Sequence, residues 1–290
     1  FRSKLLGWLW HTTSNWFRAK VRGLTRGFSA GSPVPGPTAS YYRRLAWAST
    51  RFAVLTDLAL YLVGGKLKAR GSLTGRYADA LTWQVMAFSA LRRYEAEGRR
   101  SEDLPLVQYS CEYALAQIQE AFEGIHANFN VPVIGWWLRH PSAWFLRLNP
   151  LSRGPSDHLI PAVAGAIQAL GEQYQRITAD IAPSPEDRPG AGRLMKAFRL
   201  QNEAAPIAAK ISKAQKQRLI PRGLPWQISV EALAAGVITS AEASQLQQVN
   251  AAALAAMEVD VFTPEQYFQT DREQTVSAPA EDTTSLRKTA

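Results

Sequence analysis

The apolar positions of this chain recur at helical spacing almost throughout, and no segment sustains a period of two. From Tyr41, apolar or small side chains fall at Leu45, Ala48, Phe52, Leu55, Ala59 and Leu62. That alternation of three and four predicts one bundle helix, ending at Gly64-Gly65. A second stripe, Tyr77, Leu81, Val85, Phe88 and Leu91, predicts a helix over 73–97 closed by Gly98. A third follows Ser101 and Pro105, with Val107, Cys111, Leu115, Ile118, Phe122 and Ile125 on one face. Connections this short predict antiparallel neighbours. The expected fold class is all-α, a helical bundle with additional C-terminal helices.

Residues 131–148 differ in kind. They are strongly apolar and carry Trp136, Trp137 and Trp144, with Arg139 and Arg147 as the only charges and His140 beside the first. Pro132 and Pro141 argue against one long helix, and the segment is too short and broken to span a bilayer. Rings mixed with arginines suit a lipid headgroup boundary. The alternative is a buried helical hairpin, closing the bundle or forming a dimer contact. Beyond it, small side chains at Ala162, Gly165 and Ala169 mark another helix, and residues 182–192 read as a linker. Residues 193–216 read as helix with a break at Pro206. Thr239-Ser-Ala-Glu242 is a capping box that opens an alanine-rich helix reaching Met257, and Thr263-Pro264 opens one more short turn. The expected divisions are a basic, Trp-rich segment over 1–38, a helical bundle over 39–180, a C-terminal helical region over 181–270 and a disordered tail over 271–290.

Composition narrows the classes. With 46% hydrophobic positions among 290 residues, the chain can bury one large core or two modest ones. Its single cysteine excludes a disulfide scaffold, and the place of Cys111 in a stripe predicts a buried structural thiol. The net charge of +9 is unevenly spread. Residues 1–56 hold nine basic side chains and no acid, whereas 57–290 hold 24 of each sign. Trp8, Trp10 and Trp16 are interleaved with that basic start, which suits an anionic bilayer, a nucleic acid or an acidic face of another domain. A chain that begins at Phe1 reads as part of something longer.

Chemistry is sparse. There is no glycine-rich phosphate loop and no Gly-x-Ser-x-Gly elbow, and His11, His126, His140 and His158 form no ligand pair. Glu102-Asp103 and Glu186-Asp187 are expected to be solvated charges at helix starts or in linkers, and Asp157 to be a helix N-cap. Asp57, the first acid, faces either a cation or solvent. Taken alone, these residues describe a helical interaction domain with no visible active site.

An ordered set of stretches adds to this: Gly23-Leu-Thr-Arg-Gly27, Tyr41-Tyr42, Leu55-Thr-Asp-Leu58, Gly64-Gly-Lys-Leu-Lys68, Leu91-Arg-Arg-Tyr-Glu-Ala-Glu-Gly-Arg99, Asp103-Leu-Pro-Leu-Val107, Pro155-Ser-Asp157, Gly236-Val-Ile-Thr-Ser-Ala-Glu-Ala243 and Val259-Asp-Val-Phe262. Over residues 3–268 this set resembles the C-terminal region of the large bacterial acyl-CoA dehydrogenases of fatty-acid β-oxidation, the FadE type. The resemblance implies an FAD enzyme that removes the α-proton of a medium- or long-chain fatty acyl-CoA with a glutamate and passes electrons to an electron-transfer flavoprotein. It implies that base and flavin contacts lie in a dehydrogenase domain upstream of Phe1, so no catalytic, cofactor-binding or metal residue is assigned here and the fragment alone is expected to be inactive. The further helices would serve dimer contacts or membrane association, which assigns Trp136, Trp137, Arg139, Trp144 and Arg147 as contact residues. The implied location is the bacterial cytoplasm, with a peripheral place on the inner membrane as the alternative; a nucleic-acid partner ranks last. His158 and the 182–192 linker depart from the family pattern.

Overall fold

The computed structural model describes residues 2–182, 184–186, 188, 190–257 and 264. The fold is all-α, and no strand occurs among the described residues. Two compact units divide the chain at Thr178 and Ala179.

The first unit is built on four long helices, α1 (Arg2–Leu24), α2 (Ala39–Leu62), α3 (Gly71–Ala96) and α4 (Leu104–Asn128). Helix α1 runs along α2, and α3 packs along α4. The turn from α1 to α2 requires Gly27: its φ is +82°, and a Cβ there would lie 2.8 Å from the Arg43 carbonyl oxygen. Leu45 and Trp47 of α2, Leu91 of α3 and Leu115, Ile118, Phe122 and Ile125 of α4 form the centre of one core, with Phe129 just beyond α4. The expected stripes of α2 and α4 take the inward positions, with Phe52 and Leu62 half-buried at the edge.

The stripe of α3 holds at Tyr77 and Leu91, with Phe88 half-buried against the core, and departs from expectation only in between. Ala80, Gln84 and Ala87 face inward, and Leu81 and Val85 are exposed. Small side chains let α3 approach its neighbours closely, and Gln84 is satisfied there: it donates to the Ala80 carbonyl at 2.9 Å and accepts from the Ser49 hydroxyl at 2.8 Å. Asp103 corrects a second expectation. It is buried rather than solvated, because Arg176 of helix α8 (Glu172–Thr178) reaches back to Asp103, Glu97 and Glu102. Burial alone would raise the Asp103 carboxyl, but the bonds from Arg176 and Gln173 outweigh it and hold it below its usual range.

Residues 134–148 form one continuous helical run despite Pro141. It comprises α5 (Ile134–Trp137), a π turn (Leu138–Ser142) and α6 (Ala143–Leu148). The wider π turn accommodates the proline, which would break the ladder of an ordinary α-helix. Helix α7 (Ile160–Gln168) follows. Asp157 does not cap it; Leu159 occupies the cap position, and only the Asp157 backbone carbonyl takes part, accepting from the Ile160 N–H at 3.3 Å.

The second unit holds α9 (Ala191–Glu203), α10 (Ala205–Lys216), α11 (Pro225–Ala234) and α12 (Ser240–Met257). Ile207, Ile211, Ile220, Ala232 and Ile238 belong to its own small core. Pro206 separates α9 from α10 as expected. The capping box at α12 is formed: the Glu242 carboxylate accepts from the Thr239 N–H at 2.8 Å, and the Glu242 N–H donates to the Thr239 hydroxyl at 3.3 Å. The expected turn at Thr263, Glu265 and Gln266 and the tail from Asp271 lie outside the described residues.

Candidate functional site

The candidate surface starts from a tight turn. After Phe129, which is fully buried, the Pro132 carbonyl accepts from the Ile134 N–H at 2.6 Å. The residue between them, Val133, has φ 62° and ψ −63°, so the chain makes a strained γ-turn with a β-branched residue at its tip. Gly135 then packs so closely that a Cβ would lie 2.2 Å from the Phe129 carbonyl oxygen. This turn launches α5 with Leu138 and Leu146 directed into the core.

With the leucines inside, the tryptophans face out. Trp136 and Trp144 are each 59% exposed and Trp137 is 42% exposed, and Phe145 and Leu148 are exposed beside them. Within the chain the three tryptophans therefore do not close the bundle; Leu138 and Leu146 do. Arg139 donates from Nε to the Gly135 carbonyl at 3.3 Å, and Arg147 lies 3.6 Å from Glu123. An open concavity of about 600 Å³ lies at Pro141, Trp144 and Phe145, with Arg139, His140 and Arg147 around it.

Helix α1 continues this surface. The Lys20 ammonium sits 5.2 Å from the Trp137 ring and 5.6 Å from the Trp16 ring, joining the two elements by cation–π contact. Trp10, Trp16 and Phe17 are exposed on α1, and Trp8 stacks on Tyr61 of α2. Asp57 has no cation partner among the described residues; it accepts from the Thr12 hydroxyl at 3.4 Å. Sequence reasoning singled out both aromatic segments but had no signal for their joining, which depends on the path of the chain between α1 and α5.

A second, smaller pocket of about 240 Å³ lies between the α1–α2 turn and the loop after α6. Arg44 donates to Glu112 with both terminal nitrogens and also to the Leu151 carbonyl, and the Ser152 hydroxyl donates to the same carboxylate. Burial would raise the Glu112 carboxyl, but these bonds prevail and hold it below its usual range. Cys111 beside it is fully buried, and burial pushes its thiol up to about 12, which makes it a structural thiol.

The sequence matches the family described as acyl-CoA dehydrogenase, C-terminal, bacterial type, over residues 1–262. The chain belongs to that family. No solved structure matches it. In this acyl-CoA dehydrogenase C-terminal region, several of the stretches that carry the resemblance have definite places in the fold. Gly23–Gly27 forms the close turn under α2, Tyr41 and Tyr42 are buried core residues, and Glu95, Glu97 and Arg99 lie among the ion pairs at the α3–α4 turn. Neither pocket described above suits a flavin beside a catalytic base: the residues lining the larger include no carboxylate, and the Glu112 carboxylate of the smaller is held by Arg44 and Ser152.

Proposed function

We propose that this chain is the C-terminal helical portion of an FAD-dependent acyl-CoA dehydrogenase acting on medium- or long-chain fatty acyl-CoA in β-oxidation, in which an upstream domain supplies the catalytic base and the flavin site. The family match over residues 1–262 carries this reading. Electrons from such an enzyme would pass to an electron-transfer flavoprotein. The 290-residue chain, assayed by dye reduction with palmitoyl-CoA and added FAD, is expected to give no turnover. Turnover above the protein-free background would overturn the assignment of catalysis to another segment.

The exposed tryptophan surface favours a second reading compatible with the first. It holds the chain on the anionic face of a membrane, which would place the enzyme in the bacterial cytoplasm at the inner-membrane surface. Among the described residues no helix is long and apolar enough to cross a membrane, and this reading requires only that side chains enter the headgroup boundary. Replacing Trp136, Trp137 and Trp144 with serine should abolish co-sedimentation with phosphatidylglycerol vesicles. Unchanged sedimentation would overturn the membrane reading and leave a contact with a second copy of the chain or with the upstream domain.

A further inference from the structure

The smaller pocket has donors that no described residue uses. Arg26 is exposed with φ 52°, a backbone region unfavourable to arginine. Its backbone N–H donates to the Gly23 carbonyl at 3.2 Å and its Nε to the Asn149 side-chain oxygen at 3.0 Å, while Asn149 in turn donates to the Gly23 carbonyl at 2.6 Å. The two terminal nitrogens of Arg26 have no partner among the described residues. Arg153, on the loop after α6, is exposed and likewise unpaired among the described residues. Trp47, which forms an inner wall of the pocket, is 1% exposed, with its indole nitrogen against Gly23 of α1.

The charges do not cancel. Glu112 is neutralised by Arg44 and bound by Ser152, which leaves the guanidinium groups of Arg26 and Arg153 as an excess of two positive charges. The four unused terminal nitrogens of the two exceed what the two oxygens of one carboxylate need. They match the three terminal oxygens and roughly two negative charges of a phosphomonoester, or a diphosphate. We propose that this pocket, formed by Arg26, Trp47 and Arg153 around the neutral Arg44–Glu112 pair, binds a phosphate group of that class. Soluble phosphate compounds and lipid headgroups both carry one.

The test is isothermal titration of the 290-residue chain with pyrophosphate at low ionic strength, using Arg26→Gly, Arg153→Ala and the double variant. Glycine accepts the backbone geometry at position 26, and Arg153 has no bond to lose, so both variants keep the fold, with thermal unfolding as the control. Saturable binding is expected, weakened about tenfold or more by each replacement and lost in the double variant. No saturable binding by the parent chain, or equal binding by the variants, would overturn the proposal. Coenzyme A and vesicles containing phosphatidic acid, run with the same variants, separate the sources. Loss of the first interaction in the double variant assigns a soluble phosphate, and loss of the second assigns a headgroup. The test needs neither flavin nor turnover, so its failure would leave the dehydrogenase reading untouched.

Discussion

His126 is fully packed in the first core, with Nδ1 2.7 Å from the Phe122 carbonyl. Burial pulls its pKa down to about 4, and nearby Arg51 adds to that, against the opposing bond to Phe122. The folded state therefore binds its proton less readily than the unfolded chain does, near 6.5. Its contribution is complete above that value and is lost as pH falls toward 4. Between pH 7 and pH 5 the loss is about 2 kcal/mol at one site. Urea unfolding at the two pH values should show that drop, and His126→Gln, which retains a donor for the carbonyl, should flatten it. Equal pH dependence in the variant would refute the assignment. Glu112 and Asp103 are held low instead, so their stabilisation fails only as pH falls below the ordinary carboxylate range. None of these burials except that of Cys111 was legible in the sequence. Asp103 looked solvated because its partner, Arg176, lies 73 residues away.

At the scale of the element, legibility followed side-chain size. The stripes of α2 and α4 are drawn by large apolar residues, so periodicity located them. Helix α3 packs through Tyr77 and Leu91 as its stripe predicts, but through Ala80, Gln84 and Ala87 in its middle, where a pattern weighted by large side chains chose Leu81 and Val85 instead. Helix α11 went unread because it is short, yet Pro225 at its first turn and Gln227, whose side chain reaches back to the Leu224 N–H at 3.5 Å, were signals for it. The turn before α5 was illegible for another reason: sequence does not announce a valine at positive φ. Val133 is 79% exposed, so nothing in the core compensates its conformation. Val133→Gly should raise stability by about 1 kcal/mol, since relief of backbone strain exceeds the entropy added to the unfolded chain. Gly135→Ala should lower it by about 2 kcal/mol or more, because its Cβ meets the Phe129 carbonyl. Thermal unfolding of both variants reads this directly, and two shifts of the same sign would contradict the geometry.

Across the whole molecule, the basic start divides into two populations. Arg22 donates to the Ala46 carbonyl and the Thr50 hydroxyl, Arg43 lies over Phe28, Arg44 pairs with Glu112, and Arg51 lies 4.9 Å from the Trp47 ring. These four hold the bundle together, which is why a charge count taken as surface charge overstates what a partner meets. Arg18, Lys20 and Arg26 are exposed, with Lys20 set between two tryptophan rings. A surface with few free cations and many exposed rings should bind anionic vesicles through both effects, with the rings contributing more. Raising the salt to about 1 M shortens the Debye length to about 3 Å and should weaken vesicle binding without abolishing it, whereas serine at Trp136, Trp137 and Trp144 should abolish it at any salt. Complete loss of binding in salt with the tryptophans intact would show instead that the cations carry the attachment and that the rings serve another contact.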